Sequence, residues 1–185
     1  LKLLNYIKAL LEKKLTVRPI DERLIAKIRS FIEGYVESTA DSVWESYTND
    51  RDFKKAVRDW SKQQSWTIPT TREDITRITR IALLVLITRL VFYKVLYDEK
   101  TYGRLPIMTI PEHAVSSPEL YDYLWDFYFG YVEKEIDFET ILGDKKDLIS
   151  QLPFQSNLIV DFIRDFIDLA EDYNFKKLPY DVIGR

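Results

Sequence analysis

Hydrophobic side chains recur at spacings of three and four residues along most of the chain, which is the pattern of amphipathic α-helices. Prolines and short polar stretches interrupt this pattern, as at Pro19, at Pro69 and between Pro106 and Pro118. The pattern predicts helices over about residues 1–15, 21–47, 50–61, 72–98, 118–137, 144–151 and 156–173. A short extended piece at residues 105–110 is too isolated to form a sheet, so we expect an all-α fold.

The segment from about Arg72 to Asp98 is predicted to be the longest helix and the centre of the fold. Its middle, Ile81–Ile87, is apolar on every side. A helix without a polar face has to be surrounded by other helices. The predicted fold class is therefore an irregular multi-helix bundle around one long buried central helix.

Helix starts are indicated by residues that cap free backbone amides. Asn49 or Asp50 is expected to begin the helix that follows, and Ser117 with Pro118 is a strong start for the next long one. The central helix has two possible capping boxes before it, in which a hydroxyl residue is followed three positions later by an acidic one. These are Thr70 with Glu73, which is the better match, and Thr71 with Asp74.

Composition excludes several classes of site. The 185 residues include no cysteine, a single histidine (His113) and 5 glycines. Disulfides, thiol catalysis and multi-histidine metal sites are therefore impossible, and no glycine-rich phosphate loop is present. The longest apolar run has seven residues, whereas a membrane-spanning helix needs about 20, so we expect no membrane segment and a cytoplasmic location.

Charge is divided unevenly along the chain, although the net charge is only −3. Residues 1–100 carry 19 basic and 14 acidic side chains, and residues 101–185 carry 8 basic and 16 acidic ones. A strongly basic nucleic-acid module is thereby excluded for the chain as a whole. If a polyanion binds, we expect it to bind the first half.

One helical stripe of basic residues is the candidate binding surface. Positions 51, 54, 55, 58 and 62 have the spacing of one helix face, and three arginines extend the charge into the start of the central helix. Such a stripe can contact DNA backbone phosphates. The simpler interpretation is a solvated face balanced by Asp52 and Asp59. The candidate DNA-backbone residues are Arg51, Lys54, Lys55, Arg58, Lys62, Arg72, Arg77 and Arg80.

Aromatic residues form two further groups. Trp44, Trp60 and Trp66 flank the basic stripe, which is an arrangement that single-strand binders use to stack bases. The aromatic cluster between Tyr121 and Tyr131 lies among acidic residues that would repel phosphate. We therefore expect this second group to belong to the core or to a protein interface.

Two segments resemble a known family. Ala82–Lys100 combines an apolar stretch with Arg89-Leu90, aromatic residues and an acidic end. It resembles a helix upstream of the catalytic domain in adenine-specific DNA methyltransferases of restriction–modification systems. Tyr173–Arg185 is similar to that family's passage into the methyltransferase domain, an aromatic-rich turn followed by Asp-x-Ile-Gly.

The resemblance implies a fragment of a type I modification subunit or of a type IIG-like enzyme. Residues 1–175 would be a helical DNA-contact and scaffold domain, and residues 176–185 would begin a linker into a missing catalytic domain. The implied partners are that catalytic domain and double-stranded DNA. S-adenosylmethionine is expected for the parent enzyme but for no residue here, because the family's glycine-rich cofactor motif and Asn-Pro-Pro-Tyr catalytic motif do not occur.

Two other functions are open at this point. The chain is alternatively a protein-interaction or scaffold domain that makes no contact with nucleic acid. An independent nuclease is the weaker alternative. The triplet Asp98-Glu99-Lys100 superficially resembles a nuclease core, but that chemistry needs acids on adjacent strands around a metal, and this triplet closes a predicted helix. No catalytic residue is identified.

Overall fold

The computed structural model describes residues 22–99, 105–110, 117–136, 147–151, 156–171 and 173. All regular secondary structure in these ranges is helical, as predicted. Its elements are α1 (Glu22–Asn49), α2 (Arg51–Gln63), α3 (Arg72–Glu99), α4 (Ser117–Leu124), a π-helical turn (Trp125–Phe129), α5 (Gly130–Ile136), α6 (Leu148–Gln151) and α7 (Ser156–Glu171).

Several predictions concern residues outside the described ranges. They are the first helix over residues 1–15, the start of the short helix at residues 144–146, the position of His113 and the linker over residues 176–185. The proposed domain boundary at residue 175 also lies outside these ranges.

Helix α3 is the central element, as expected. It packs against α1, the π-helical turn, α6 and α7. Most of its apolar residues are fully buried, but Leu84 is 49% exposed. The expectation that the run Ile81–Ile87 is covered on every side is therefore wrong at Leu84, and Ile81 and Val85 are only partly buried. Leu84 lies between the exposed residues Arg77 and Thr88 on one helical stripe, which the neighbouring described helices leave in contact with solvent.

Helices α1 and α3 run antiparallel. Arg72 at the start of α3 donates to Asp41 and Glu37 at distances of 2.6 and 3.1 Å, and Arg80 forms a bidentate pair with Glu33 at 2.7 and 2.9 Å. The hydrogen bonds from Arg80 lower the pKa of the Glu33 carboxyl. These exposed pairs set the register of the two helices, whereas most of the stabilisation comes from the apolar residues buried between them.

The helix starts confirm one prediction and correct another. The Asp50 side chain accepts hydrogen bonds from the amides of Asp52 and Phe53 at 2.8 and 3.0 Å, so Asp50 caps α2. At α3 the capping box is Thr71 with Asp74, and the preference for Thr70 with Glu73 was wrong. Thr71 Oγ1 accepts from the Asp74 amide at 3.2 Å, and Asp74 Oδ2 accepts from the Thr71 amide at 3.1 Å.

The end of α2 is a Schellman motif. The amide of Ser65 donates to the Lys62 carbonyl at 2.9 Å, and the amide of Trp66 donates to the Ser61 carbonyl at 2.8 Å. Ser65 has a φ of 57°, the left-handed conformation that this motif requires. Trp66 then packs edge-on against Trp60, with ring centroids 5.0 Å apart. This contact fixes the chain as it leaves α2.

The aromatic helix predicted over residues 118–137 contains a π-helical turn. Its helical structure extends from Ser117 to Ile136, but in the turn the Gly130 amide donates to the Trp125 carbonyl, five residues earlier. A Cβ atom at Gly130 would lie 3.0 Å from the Trp125 carbonyl oxygen and 3.0 Å from its indole nitrogen. Glycine at position 130 therefore allows the Trp125 ring to pack against the wider turn.

The segment 105–110 has no regular secondary structure and is held by two tyrosines. The Tyr93 hydroxyl donates to the Pro106 carbonyl at 2.7 Å. The Tyr128 hydroxyl accepts from the Thr109 amide at 2.9 Å and donates to the Thr109 carbonyl at 3.1 Å. Burial raises the pKa of Tyr93, so this donor stays protonated at ordinary pH. These side-chain hydroxyls thus form hydrogen bonds with backbone groups that a neighbouring strand would bind in a sheet.

We predict opposite effects of the same substitution at two helical glycines. Gly130→Ala should lower the free energy of unfolding by roughly 1–3 kcal/mol, because the new methyl group overpacks against Trp125. Gly34→Ala in α1 should raise it by about 0.5–1 kcal/mol, since in the described structure no atom beyond the local helix backbone lies within 4 Å of the added Cβ. Urea denaturation of both variants measures the difference. Equal stabilisation by the two substitutions would contradict the account of the π-helical turn.

Candidate nucleic-acid interface on helix α2

Helix α2 separates its residues cleanly between two faces. Phe53, Val57 and Ser61 are buried against the rest of the fold. The basic residues predicted for the stripe lie on the outer face, where they surround a shallow concavity of about 350 Å³ together with Asp52 and Asp59. We call this surface the basic face; its cations are Arg51, Lys54, Lys55, Arg58 and Lys62.

Among the residues that the structure describes, two of these five cations form an ion pair. Asp59 lies 3.0 Å from the Lys55 ammonium and 3.8 Å from the Lys62 ammonium. Within the described part of the chain, the three other cations form no ion pair, although the Lys54 ammonium lies 5.1 Å above the Tyr47 ring. The basic face therefore keeps positive charge that the protein itself does not neutralise.

The electrostatic character of this face is visible at Asp59. Its pKa is lowered, first by the hydrogen bond from Lys55 and also by the charges of Lys55, Lys62 and Arg58, which together outweigh the opposing effect of burial. A depressed carboxyl pKa indicates a positive local potential. Asp59 acts as a built-in counterion at the centre of the face.

The three candidate arginines on α3 are in different surroundings. Arg72 and Arg80 hold the carboxylates of α1, as described above, so these guanidinium groups already have partners. Arg77 lies 3.9 Å from Asp74 and its side chain is half exposed. The structure thus brings the five α2 cations together on one face and places the three arginines elsewhere.

Each tryptophan near α2 has an aromatic neighbour. Trp44 stacks on Tyr47 with centroids 6.0 Å apart, and Trp60 packs edge-on against Trp66. Trp44 and Trp60 also pack against the hydrophobic core. These two rings therefore support the fold of α1 and α2, whereas Trp66 lines an open surface cleft.

The aromatic cluster of residues 121–131 is divided between core and surface. Tyr121, Trp125, Tyr128 and Phe129 are buried in the core. Phe127 and Tyr131 are 57% and 44% exposed. We call these two residues, which lie four positions apart along the helix, the aromatic patch. From the sequence, this cluster is expected to belong to the core or to a protein interface. The four buried residues confirm the core part of that expectation.

Arg89 is a buried charge that the sequence analysis did not single out. Its side chain, 4% exposed, donates to the Tyr121 hydroxyl and to the Asp147 carboxylate. Its Nε has no hydrogen-bond partner in the described part of the structure. Arg89 follows the buried Leu86 by three residues and precedes the buried Tyr93 by four. Helical spacing is therefore the sequence signal that could have assigned Arg89 to the inner face of α3.

Arg89 links three parts of the bundle, because its two partners lie in α4 and immediately before α6. Removing one member of a buried ion pair leaves an uncompensated charge, which is strongly destabilising. The arrangement accounts for a structural role.

Within residues 22–99 and the shorter described ranges, no cluster of three potential metal ligands occurs. None of the described helices has the length and apolar character to cross a membrane. No protein-family description, curated protein or solved structure matches the chain.

The pKa of Asp59 should rise more when the nearer lysine is replaced than when the more distant one is. In Lys55→Met the pKa of Asp59 should rise toward its usual value, because the closest hydrogen-bond donor is lost. Lys62→Met should raise it less, since that ammonium lies 3.8 Å away. NMR titration of the Asp59 carboxyl carbon measures both changes. A larger effect of Lys62 than of Lys55 would contradict the geometry of the basic face.

Proposed function

We propose that this chain is a non-catalytic helical domain that contacts the phosphate backbone of DNA through the basic face of α2. The observation that carries the proposal is the set of five cations on one outer face, three of them without an ion pair in the described structure. Cations that the protein leaves unneutralised can replace the counterions of a polyanion.

The dimensions of the basic face suit a backbone contact. From Arg51 to Lys62 a helix rises by about 16 Å, at about 1.5 Å per residue. That distance corresponds to roughly five base-pair steps of duplex DNA at about 3.4 Å each. Lysine and arginine side chains at this spacing bind phosphates without reading base identity, so we expect binding that is independent of sequence.

The wider context of the proposal is an adenine-specific DNA methyltransferase of a restriction–modification system. Its support is the resemblance of Ala82–Lys100 and Tyr173–Arg185 to that family. The first segment lies mostly in α3, where its apolar residues build the core, which suits a domain that braces a catalytic domain. S-adenosylmethionine and the methylation chemistry would belong to the catalytic domain, and a cytoplasmic location goes with this proposal.

A second candidate function is a protein-interaction or scaffold domain without nucleic-acid contact. The aromatic patch favours it, because large exposed apolar side chains are typical of interfaces. Tyr123 packs against Phe127 with ring centroids 4.6 Å apart, which gives the patch a wider aromatic base. This candidate predicts no binding of DNA even at low ionic strength.

Charge reversal on α2 separates the two candidates. In the variant Arg51→Glu/Arg58→Glu, affinity for non-specific duplex DNA should fall by at least tenfold at low salt. The slope of log K against log salt should decrease by about two, one for each lost phosphate contact. The matched control is Arg29→Glu/Lys134→Glu, which changes net charge equally on other surfaces. Equal losses in both variants, or no binding by the parent chain, would refute the α2 contact.

Removing the built-in counterion should have the opposite effect. Asp59→Asn frees Lys55 and Lys62, so duplex affinity should rise severalfold and the salt slope should steepen. Asp168→Asn removes one exposed negative charge from α7 and serves as the control. Fluorescence anisotropy with a labelled duplex measures both variants. An unchanged affinity in Asp59→Asn would count against the proposed role of this face.

A further inference from the structure

A second surface feature lies beside the basic face. An open cleft of about 400 Å³ is lined by Ser65, Trp66 and Thr67 from the connector after α2 and by Arg77 and Ile81 from α3. The cleft therefore combines an indole ring, a guanidinium group, an apolar floor and two hydroxyl side chains.

The cleft and the basic face meet at one hydrogen bond. Ser65 lines the cleft and donates its amide to the carbonyl of Lys62, which lines the basic face, at 2.9 Å. A strand that follows the cations of α2 toward Lys62 would therefore reach the cleft without crossing another helix.

The Trp66 and Arg77 side chains of the cleft are held by contacts with the protein and are still accessible to a ligand. Trp66 is only partly buried, and its ring is fixed by the perpendicular contact with Trp60 at an interplanar angle of 86°. Arg77 is half exposed, and within the described residues it forms one ion pair, at 3.9 Å to Asp74. Planar guanidinium and indole groups both stack on flat aromatic rings.

We infer that this cleft accepts an unstacked nucleobase, and that the chain therefore prefers single-stranded or locally opened nucleic acid over an intact duplex. The inference rests on the proposed function, because the basic face supplies the phosphate contacts that bring the strand to the cleft. Trp66 and Arg77 would stack on the base, Ile81 would contact its edge, and the hydroxyls of Ser65 and Thr67 would face its polar groups. Base–aromatic stacking tolerates any base, so no sequence preference is expected.

The test compares two single strands that carry the same phosphates. We expect the full chain to bind a short oligothymidylate at least about fivefold more tightly than an abasic oligonucleotide of equal length. The slope of log K against log salt should be equal for the two strands. A blunt duplex, whose bases are stacked and paired, should not show the additional affinity that the oligothymidylate gains from its bases. Quenching of tryptophan fluorescence should accompany oligothymidylate binding and be absent with the abasic strand.

Variants test whether the tighter binding of oligothymidylate than of the abasic strand arises in the cleft. The ratio of the two dissociation constants should fall toward one in Trp66→Leu and in Arg77→Gln. Arg58→Gln, with the same loss of charge, should weaken binding of both strands and leave their ratio unchanged. Arg77→Gln keeps the test valid if loss of the Trp60 contact destabilises Trp66→Leu.

Two outcomes overturn different statements. Equal affinity for the two strands, or a ratio that Arg77→Gln leaves unchanged, would overturn the base-binding cleft while the α2 phosphate contact stands. Failure of both strands and of the duplex to bind at low salt would overturn the proposed function, and the inference with it.

Discussion

Burial of apolar side chains between α1 and α3 is the interaction on which the rest of the fold depends. Val36 and Val43 of α1 and Ile75 of α3 are completely buried, and each such residue contributes about 1.5–3 kcal/mol by leaving water. The other helices attach to this pair. Phe31 of α1 stacks on Phe162 of α7 with centroids 4.8 Å apart, and the Tyr35 hydroxyl donates to Asp165 at 2.9 Å. Helix α2 packs against α1, so its orientation follows from the same pair.

The basic face is a direct consequence of how α2 packs. Its inner positions, such as Phe53 and Val57, recur every four residues, so helical periodicity sends the cations of positions 51 to 62 outward. Here one carboxylate, Asp59, serves two lysines, and the remaining cations have no carboxylate partner in the described structure. Arg72 and Arg80 of α3 are instead paired with carboxylates of α1, and they thereby stabilise the helix pair against which α2 packs.

Much of this arrangement was predictable from local pattern. Apolar spacing placed α1, α2, α3 and α7 within a few residues of their bounds, and it placed the α2 cations together, because these features depend on one helix at a time. Three features escaped for physical reasons. Two overlapping capping boxes satisfy the same motif, and they differ by one residue, which is finer than the predicted start at about Arg72 can resolve. Aromatic residues occur on every face of the helix over residues 121–131. The hydrophobic periodicity therefore does not show the extra residue of the π-helical turn. Arg89 has the charge of a surface residue, and its partner Asp147 lies 58 positions away.

Whether DNA occupies the outer face of α2 is the central question, and lysine footprinting answers it most directly. The chain is acetylated with and without saturating duplex DNA at low salt, and the modification of each lysine is measured by mass spectrometry. The account predicts that DNA protects Lys54, Lys55 and Lys62, while Lys27 and Lys134, on α1 and α5, react as before. Unchanged modification of the three α2 lysines in the presence of bound DNA would contradict it.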